Sequence, residues 1–143
     1  MQRKHLAIAV LSIGMLTLAA CKKDKEEEKP KTTAEKLQAK WTLQTIIDNE
    51  HTGGEDSRDT TVGAGTDFFE FKPNGMLYVS FDGELDSVSY ALQTDSKIVI
   101  TQPPYASIYD IQTLTDNTLQ LYTKEQSPFE PADYAEETIL LKK

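Results

Sequence analysis

Cysteine is nearly absent from this 143-residue chain, which has Cys21 alone. Without a second thiol there is no intrachain disulfide, and without a cysteine cluster there is no thiolate site for zinc. Histidine is as scarce, at His5 and His51, and arginine occurs only at Arg3 and Arg58. No serine is placed by motif beside a base, and the chain has no phosphate loop and no zinc-binding helix motif. Asp82, Glu84 and Asp86 gather round one turn, but acids in a turn are usually solvated. A carboxylate hydrolase is therefore the third reading of this chain, and none of its residues is assigned as catalytic. Positive charge is also short, with 15 Lys and Arg against 23 Asp and Glu. That balance repels a phosphate backbone and excludes nucleic acid as a partner. The longest apolar run, Leu6 to Leu18, is 13 residues interrupted by Ser12, Gly14 and Thr17. A membrane-spanning helix needs roughly 20.

The run nevertheless has a use. Arg3 and Lys4 precede it with no acidic residue, the pattern of a secretory signal, and it ends in Leu18-Ala19-Ala20-Cys21. This tetrapeptide resembles the lipobox of bacterial lipoproteins, in which the chain is cut before a cysteine that then carries the lipid. The resemblance implies a signal peptide over 1–20, acyl chains such as palmitate on Cys21, and a membrane anchor held by more than one chain. The remaining 21–143 has 13 basic and 23 acidic residues, a formal −10, so attachment would rest on the acyl chains and not on anionic lipid. Residues 21–31 hold the cysteine, five lysines, Asp24 and Glu26–Glu28 with no other apolar residue. This composition predicts a flexible tether, about 30 Å at full stretch. An acidic cluster just after a lipid cysteine is similar to the signal that places some lipoproteins on the outer face of the outer membrane. The expected location is therefore the bacterial outer membrane, with the cell surface and the inner leaflet both open.

From residue 32 the pattern is that of one folded domain, 32–143. Thr32 and Glu35 have capping-box spacing for a short helix, which sets Leu37 four residues before Trp41. Then the period becomes two. Trp41, Leu43, Thr45 and Ile47 alternate with Thr42, Gln44 and Ile46, and seven further strand candidates follow: 67–72, 76–82, 85–93, 97–101, 107–114, 118–124 and 134–142. Pro73-Asn74-Gly75, Asp82-Gly83 and Asp95-Ser96 punctuate them as tight turns. Eight sequential antiparallel strands in a small domain remove their edges best by closing, so the expected fold is an all-β up-and-down barrel preceded by a short helix. An open sandwich is the alternative. Strand parity puts the connections 49–66, 82–84, 102–106 and 125–133 at one end and the tight turns at the other. This predicts a shut base near the tether and a loop-rich mouth.

Residues Leu37 to Leu43, Phe69-Glu70-Phe71-Lys72-Pro73-Asn74-Gly75, Val88-Ser89-Tyr90 before Lys97 to Ile100, and Tyr109-Asp110-Ile111 leading to Leu119-Gln120-Leu121 resemble, in order and spacing, the bacterial lipocalin-like domain lipoproteins. The resemblance covers about 35–143 and implies a small eight-stranded barrel. Lipocalins proper have a glycine two residues before the tryptophan and an arginine from the far end of the chain across its ring. Here Ala39 holds the glycine position and Arg58 lies in a loop, leaving Lys142 or Lys143 to cover the indole.

Alternation sends Trp41, Leu43, Phe69, Phe71, Leu77, Val79, Phe81, Val88, Tyr90, Leu92, Ile98, Ile100, Tyr109, Ile111, Leu119 and Leu121 inward. An eight-stranded barrel is either filled by such side chains or left with room for one small ligand. If hollow, it binds a small apolar or amphipathic molecule through Tyr90, Tyr109, Phe69 and Trp41, the tyrosines offering both ring and hydroxyl. If solid, it acts through mouth-loop residues His51, Tyr105 and Phe129 on an envelope protein or a glycan. The stretch 49–66 reads as an 18-residue acidic loop: a disordered segment, a lid or a calcium loop, although its acids do not follow calcium-loop order. No metal site and no cofactor is assigned.

Overall fold

The computed structural model describes residues 29–143. The expected signal peptide, Cys21 and most of the tether lie outside the described residues. Helix α1, Thr33–Leu37, is started by the capping box expected of Thr32 and Glu35: the Thr32 hydroxyl accepts from the Glu35 N–H at 3.2 Å, and the Glu35 carboxylate accepts from the Thr32 N–H at 2.7 Å. This short helix sets Leu37, fully buried, beneath the sheet.

Nine strands follow: β1 Lys40–Thr52, β2 Glu55–Val62, β3 Phe68–Phe71, β4 Met76–Phe81, β5 Glu84–Thr94, β6 Lys97–Gln102, β7 Tyr105–Leu114, β8 Thr118–Gln126 and β9 Tyr134–Lys142. β3 to β9 pair antiparallel in sequence order, and β1 joins β3 on one edge and β9 on the other. The result is a closed eight-stranded up-and-down barrel preceded by a short helix, as the sequence pattern implied. Among the described residues its ring, its helix and its core all fall within 32–143.

The ninth strand corrects the sequence reading. Residues 49–66 are not a free loop, lid or calcium loop. β1 runs on to Thr52, turns at Gly53 and Gly54 (φ 62° and 82°), and returns as β2 along Thr45–Thr52. Two consecutive positive φ angles suit the right-handed twist of a two-residue hairpin. The strand escaped notice because every residue of β2 except Thr61 is exposed, so Glu55-Asp56-Ser57-Arg58-Asp59 shows no apolar period. The mouth is accordingly less loop-rich than expected: β4–β5 and β6–β7 are joined by two residues each, and 127–133 is the long connection.

Closure depends on β1 changing partners. Its far edge pairs with β3 only through Lys40↔Glu70, Trp41↔Phe69 and Thr42↔Phe68. The Leu43 N–H then donates to Asp67 O at 2.9 Å, and Gln44 O accepts from the Gly63 N–H at 3.0 Å, before β2 takes over at Thr45. On the β9 side the register slips between Leu43 and Thr45, a bulge at Gln44. The bulge inverts the alternation beyond it, which is a second correction: Ile46 packs on the core in place of Thr45 and Ile47.

The base is solid. Leu37, Trp41, Leu43, Phe71, Leu77 and Ile98 are at most 1% exposed, and Leu119, Leu121, Ile139 and Leu141 complete the core. The Trp41 indole N–H donates to Leu37 O at 2.9 Å, and Lys143 Nζ lies 4.2 Å from the ring centroid. The lysine expected over the indole is therefore Lys143, held there by donating to Lys36 O at 3.2 Å. Phe81, expected inside, is 38% exposed at the end of its strand.

A Cβ on Gly63 would stand 2.5 Å from Leu43 O, a backbone atom at the crossing where β1 changes partners. Gly63→Ala should therefore destabilise the fold by about 2 kcal/mol, as overpacking does. Gly65→Ala, with nothing within 4 Å, should stay within about 0.5 kcal/mol. Urea unfolding of the two variants checks the contrast.

Candidate functional site

Inward-facing side chains change character along the barrel axis. On β1 the row runs Trp41, Leu43, then across the bulge Ile46, Asp48, Glu50; on β9, read upward, it runs Leu141, Ile139, Glu137, Ala135. On β8 it runs Leu119, Leu121, Thr123, Glu125. Each row is apolar at the base and carries at least one acid above it, so the barrel is filled below and open above.

The open half holds two adjoining cavities. The deeper, about 240 Å³, has an apolar floor of Phe69, Leu77, Val79, Val88, Ile100 and Ile139, with Asp86, Gln102, Tyr109 and Glu137 as its polar members. The outer, about 270 Å³, shares Tyr109 and Glu137 and adds Asp48, Glu50, Glu125 and Ser107. Together they come into the range of small-molecule pockets, roughly 300–1,000 Å³.

Tyr109 and Glu137 form the hinge between the two cavities. The Tyr109 hydroxyl donates to Glu137 Oε1 at 2.7 Å. Burial, reinforced by the Glu137 carboxylate, raises the tyrosine's pKa far above its ordinary value, so the hydroxyl stays a donor. Burial also pushes the Glu137 carboxyl up; the Tyr109 bond pulls it back, and the charges of Asp48 and Glu125 add to the rise. Across the ladder Glu137 stands directly opposite Asp48 on one side and Thr123 on the other.

The expected site residues separate into distinct places. Phe69 and Tyr109 line the deeper cavity. Trp41 lies fully buried in the base, and the Tyr90 hydroxyl donates to Lys72 O at 2.7 Å while its ring meets Phe71 edge-on at 5.1 Å. Neither Trp41 nor Tyr90 is among the residues lining the two cavities. His51 belongs to β1 and not to a loop; its Nδ1 is 2.6 Å from Asp56 Oδ1, and its ring stacks on Tyr134 at 5.1 Å. Tyr105 and Phe129 stand at the mouth, 77% and 88% exposed, and Tyr105 continues the inward row of Ser107 and Tyr109.

Sequence reasoning missed Asp48, Glu125 and Glu137, and it took Asp86 for a solvated acid of a turn and Glu50 for part of an acidic loop over 49–66. A signal for Glu137 was present, since it is two residues before Ile139 and four before Leu141. The adjacent Glu136, which faces out to Lys124 at 2.9 Å, disguised it as a charged surface pair. Among the described residues no group of three or more His, Cys, Asp or Glu is arranged to hold a metal ion.

No protein-family model matches the chain, and no curated protein matches it. Among solved structures it is similar to a deswapped triple mutant of bovine odorant binding protein, at 18% identity over 76% of this chain and 74% of that one, with a TM-score of 0.45.

Glu137 also generates a pH signature. Because its folded pKa is raised above the ordinary 4.5, its contribution to stability is full below about pH 4.5 and is lost as pH rises through the folded value. Glu137→Gln removes this loss. In urea melts from about pH 4 to about pH 8 the variant should gain steadily on the parent. A gap that does not change with pH would contradict this assignment.

Proposed function

We propose that this protein is a lipid-anchored envelope protein whose barrel binds one small amphipathic molecule in the open half of its interior, without catalysing a reaction on it. The observation that carries the reading is the graded interior: a solid base of Trp41, Phe71 and Leu77 beneath a cavity whose floor is apolar and whose rim is polar. A barrel filled to the rim would be scaffold alone. This one stops its filling halfway and leaves Phe69 at the floor of the space, with Tyr109 placed between the two cavities. The anchor and the outer-membrane location rest on Leu18-Ala19-Ala20-Cys21 and the charged tether.

A second reading has its own support. Tyr105, Ile108 and Phe129 are large apolar side chains exposed around the mouth, where a protein or glycan could bind. Crosslinkers placed at 105 and 129 on intact cells discriminate: a captured protein or glycan at both positions favours this reading.

For the cup, the uncharged fluorophore N-phenylnaphthylamine should show saturable uptake by residues 29–143. Ile100→Trp, which fills the floor, should weaken uptake by about tenfold or more. Tyr90→Phe, which removes the hydroxyl bond to the Lys72 carbonyl and leaves it the Gly75 N–H as donor, should cost about 1 kcal/mol of stability and leave uptake unchanged. For the anchor, growth with an alkyne palmitate analogue should label the protein, and Cys21→Ser should abolish the label. A labelled serine variant would rule out Cys21 as the acylated residue.

A further inference from the structure

We infer that the ligand of this cup is a cationic amphiphile, with its ammonium or guanidinium group seated between Asp48 and Glu137 and its apolar part on the floor formed by Phe69, Val79, Val88 and Ile100. The inference rests on the cup being a ligand site, as proposed above, and assigns the charge of what it takes.

The first support is how the protein distributes its charge. Among the described residues the lysine ion pairs Lys97–Asp110 and Lys124–Glu136 use the outward rows of their strands and Lys72–Glu70 the outer side at the end of β3, with Glu136 alone of these also bordering the outer cavity. No lysine or arginine lines either cavity. Arg58 is across from Asn49 and so belongs to the other row of β1. The five inward carboxylates, Asp48, Glu50, Asp86, Glu125 and Glu137, have no ion-pair partner among the described residues. Two accept only from neutral hydroxyls: Glu137 from Tyr109, and Glu125 from Ser107 at 3.2 Å.

A second support is independent of how many acids there are. Asp48 and Glu137 are directly opposite each other on β1 and β9, both half-buried and both facing inward. Like charges in this arrangement destabilise a sheet. Burial is the main cause of the raised Glu137 carboxyl, and the charge of Asp48 adds to it. A ligand cation between the two removes the repulsion and supplies the counter-charge that the wall withholds. An anion would meet the carboxylates with no cation to offset them, because the Tyr109 hydroxyl already donates to Glu137 and the other donors of the wall, such as Gln102 and Thr123, are uncharged. A neutral polar group would leave the repulsion in place.

The third support is the apolar depth below the acids. A bare metal cation or a small polyamine has no use for Phe69, Val79, Val88 and Ile100 a few residues further in. Tyr105, at the top of the same inward row as Tyr109, adds an aromatic face at the entrance where a cation passes.

Three probes with one chain and different heads test the charge apart from the cup: octylammonium, octanol and octanoate, titrated into residues 29–143 and followed by amide NMR at low salt and neutral pH. Octylammonium should bind about tenfold tighter than octanol, and octanoate more weakly than octanol, with shifts centred on Tyr109 and Glu137. The preference should shrink in about 0.5 M salt. Asp48→Asn with Glu137→Gln should bring octylammonium to within about twofold of octanol. Octanol or octanoate binding as tightly as octylammonium overturns the cationic ligand and leaves the cup standing. No shift at cavity residues with any of the three overturns the cup as well. The comparison of heads on the unaltered protein stands even where the double variant fails to fold.

Discussion

The barrel hangs on three residue pairs. Between β1 and β3 the closing seam is Lys40↔Glu70, Trp41↔Phe69 and Thr42↔Phe68, and above it β1 passes to another partner. So short a seam holds because its middle pair is also core. Trp41 is fully buried, tied to Leu37 O by its indole N–H and covered by Lys143 on its face, while Phe69 closes against it from the opposite strand. The first and last ordered segments of the domain thus meet on one side chain. A cation over an aromatic face contributes about 0.5–1 kcal/mol by itself, but here Lys143 also holds the end of β9 against the base.

The Gln44 bulge links that seam to the interior chemistry. Below it, the inward row of β1 is Trp41 and Leu43; above it, the row is Ile46, Asp48 and Glu50. Without the extra residue the same strand would aim Thr45, Ile47 and Asn49 inward, and Asp48 would face solvent. One residue of slip therefore decides that an acid stands opposite Glu137 inside the barrel. On the opposite edge, where β1 passes from β3 to β2, Asp67 and Gly63 supply the hydrogen bonds of Leu43 and Gln44.

The two halves of the interior have different physical roles. The base is dry and close-packed and supplies the stability of a domain without a disulfide. The mouth accepts electrostatic cost, with half-buried Asp48 and Glu137 side by side and Tyr109 satisfied only by one of them. Sites that spend stability in this way are where function is expected, since nothing in the fold requires acids at those positions. The β1–β2 hairpin extends the wall beside the mouth, and its tip is pinned to the 127–133 connection by the Gly53 N–H donating to Asp133 Oδ1 at 3.0 Å and by His51 stacking on Tyr134.

The sequence by itself determined the elements that announce themselves locally. The capping box at Thr32, the two-residue period of the strands, the turns at Asn74-Gly75 and Asp82-Gly83, and the apolar row from Phe69 to Leu121 each depend on neighbours a few residues away. A chain of such strands with short turns has closure as its natural answer to unpaired edges. The covering of Trp41 by Lys143 was legible only through the family resemblance, which implies a basic side chain from the far end of the chain across that ring. The tertiary structure alone decided the rest. β2 has no buried face and hence no apolar period, so only its pairing with β1 reveals it. The bulge at Gln44 follows from fitting β1 to β9, residues some ninety positions away, and no local propensity encodes it. For the same reason the acids of the mouth read as ordinary surface charge in sequence. Whether a glutamate beside a glutamate faces lysine or cavity is fixed by register, and register is a property of two strands and not of one.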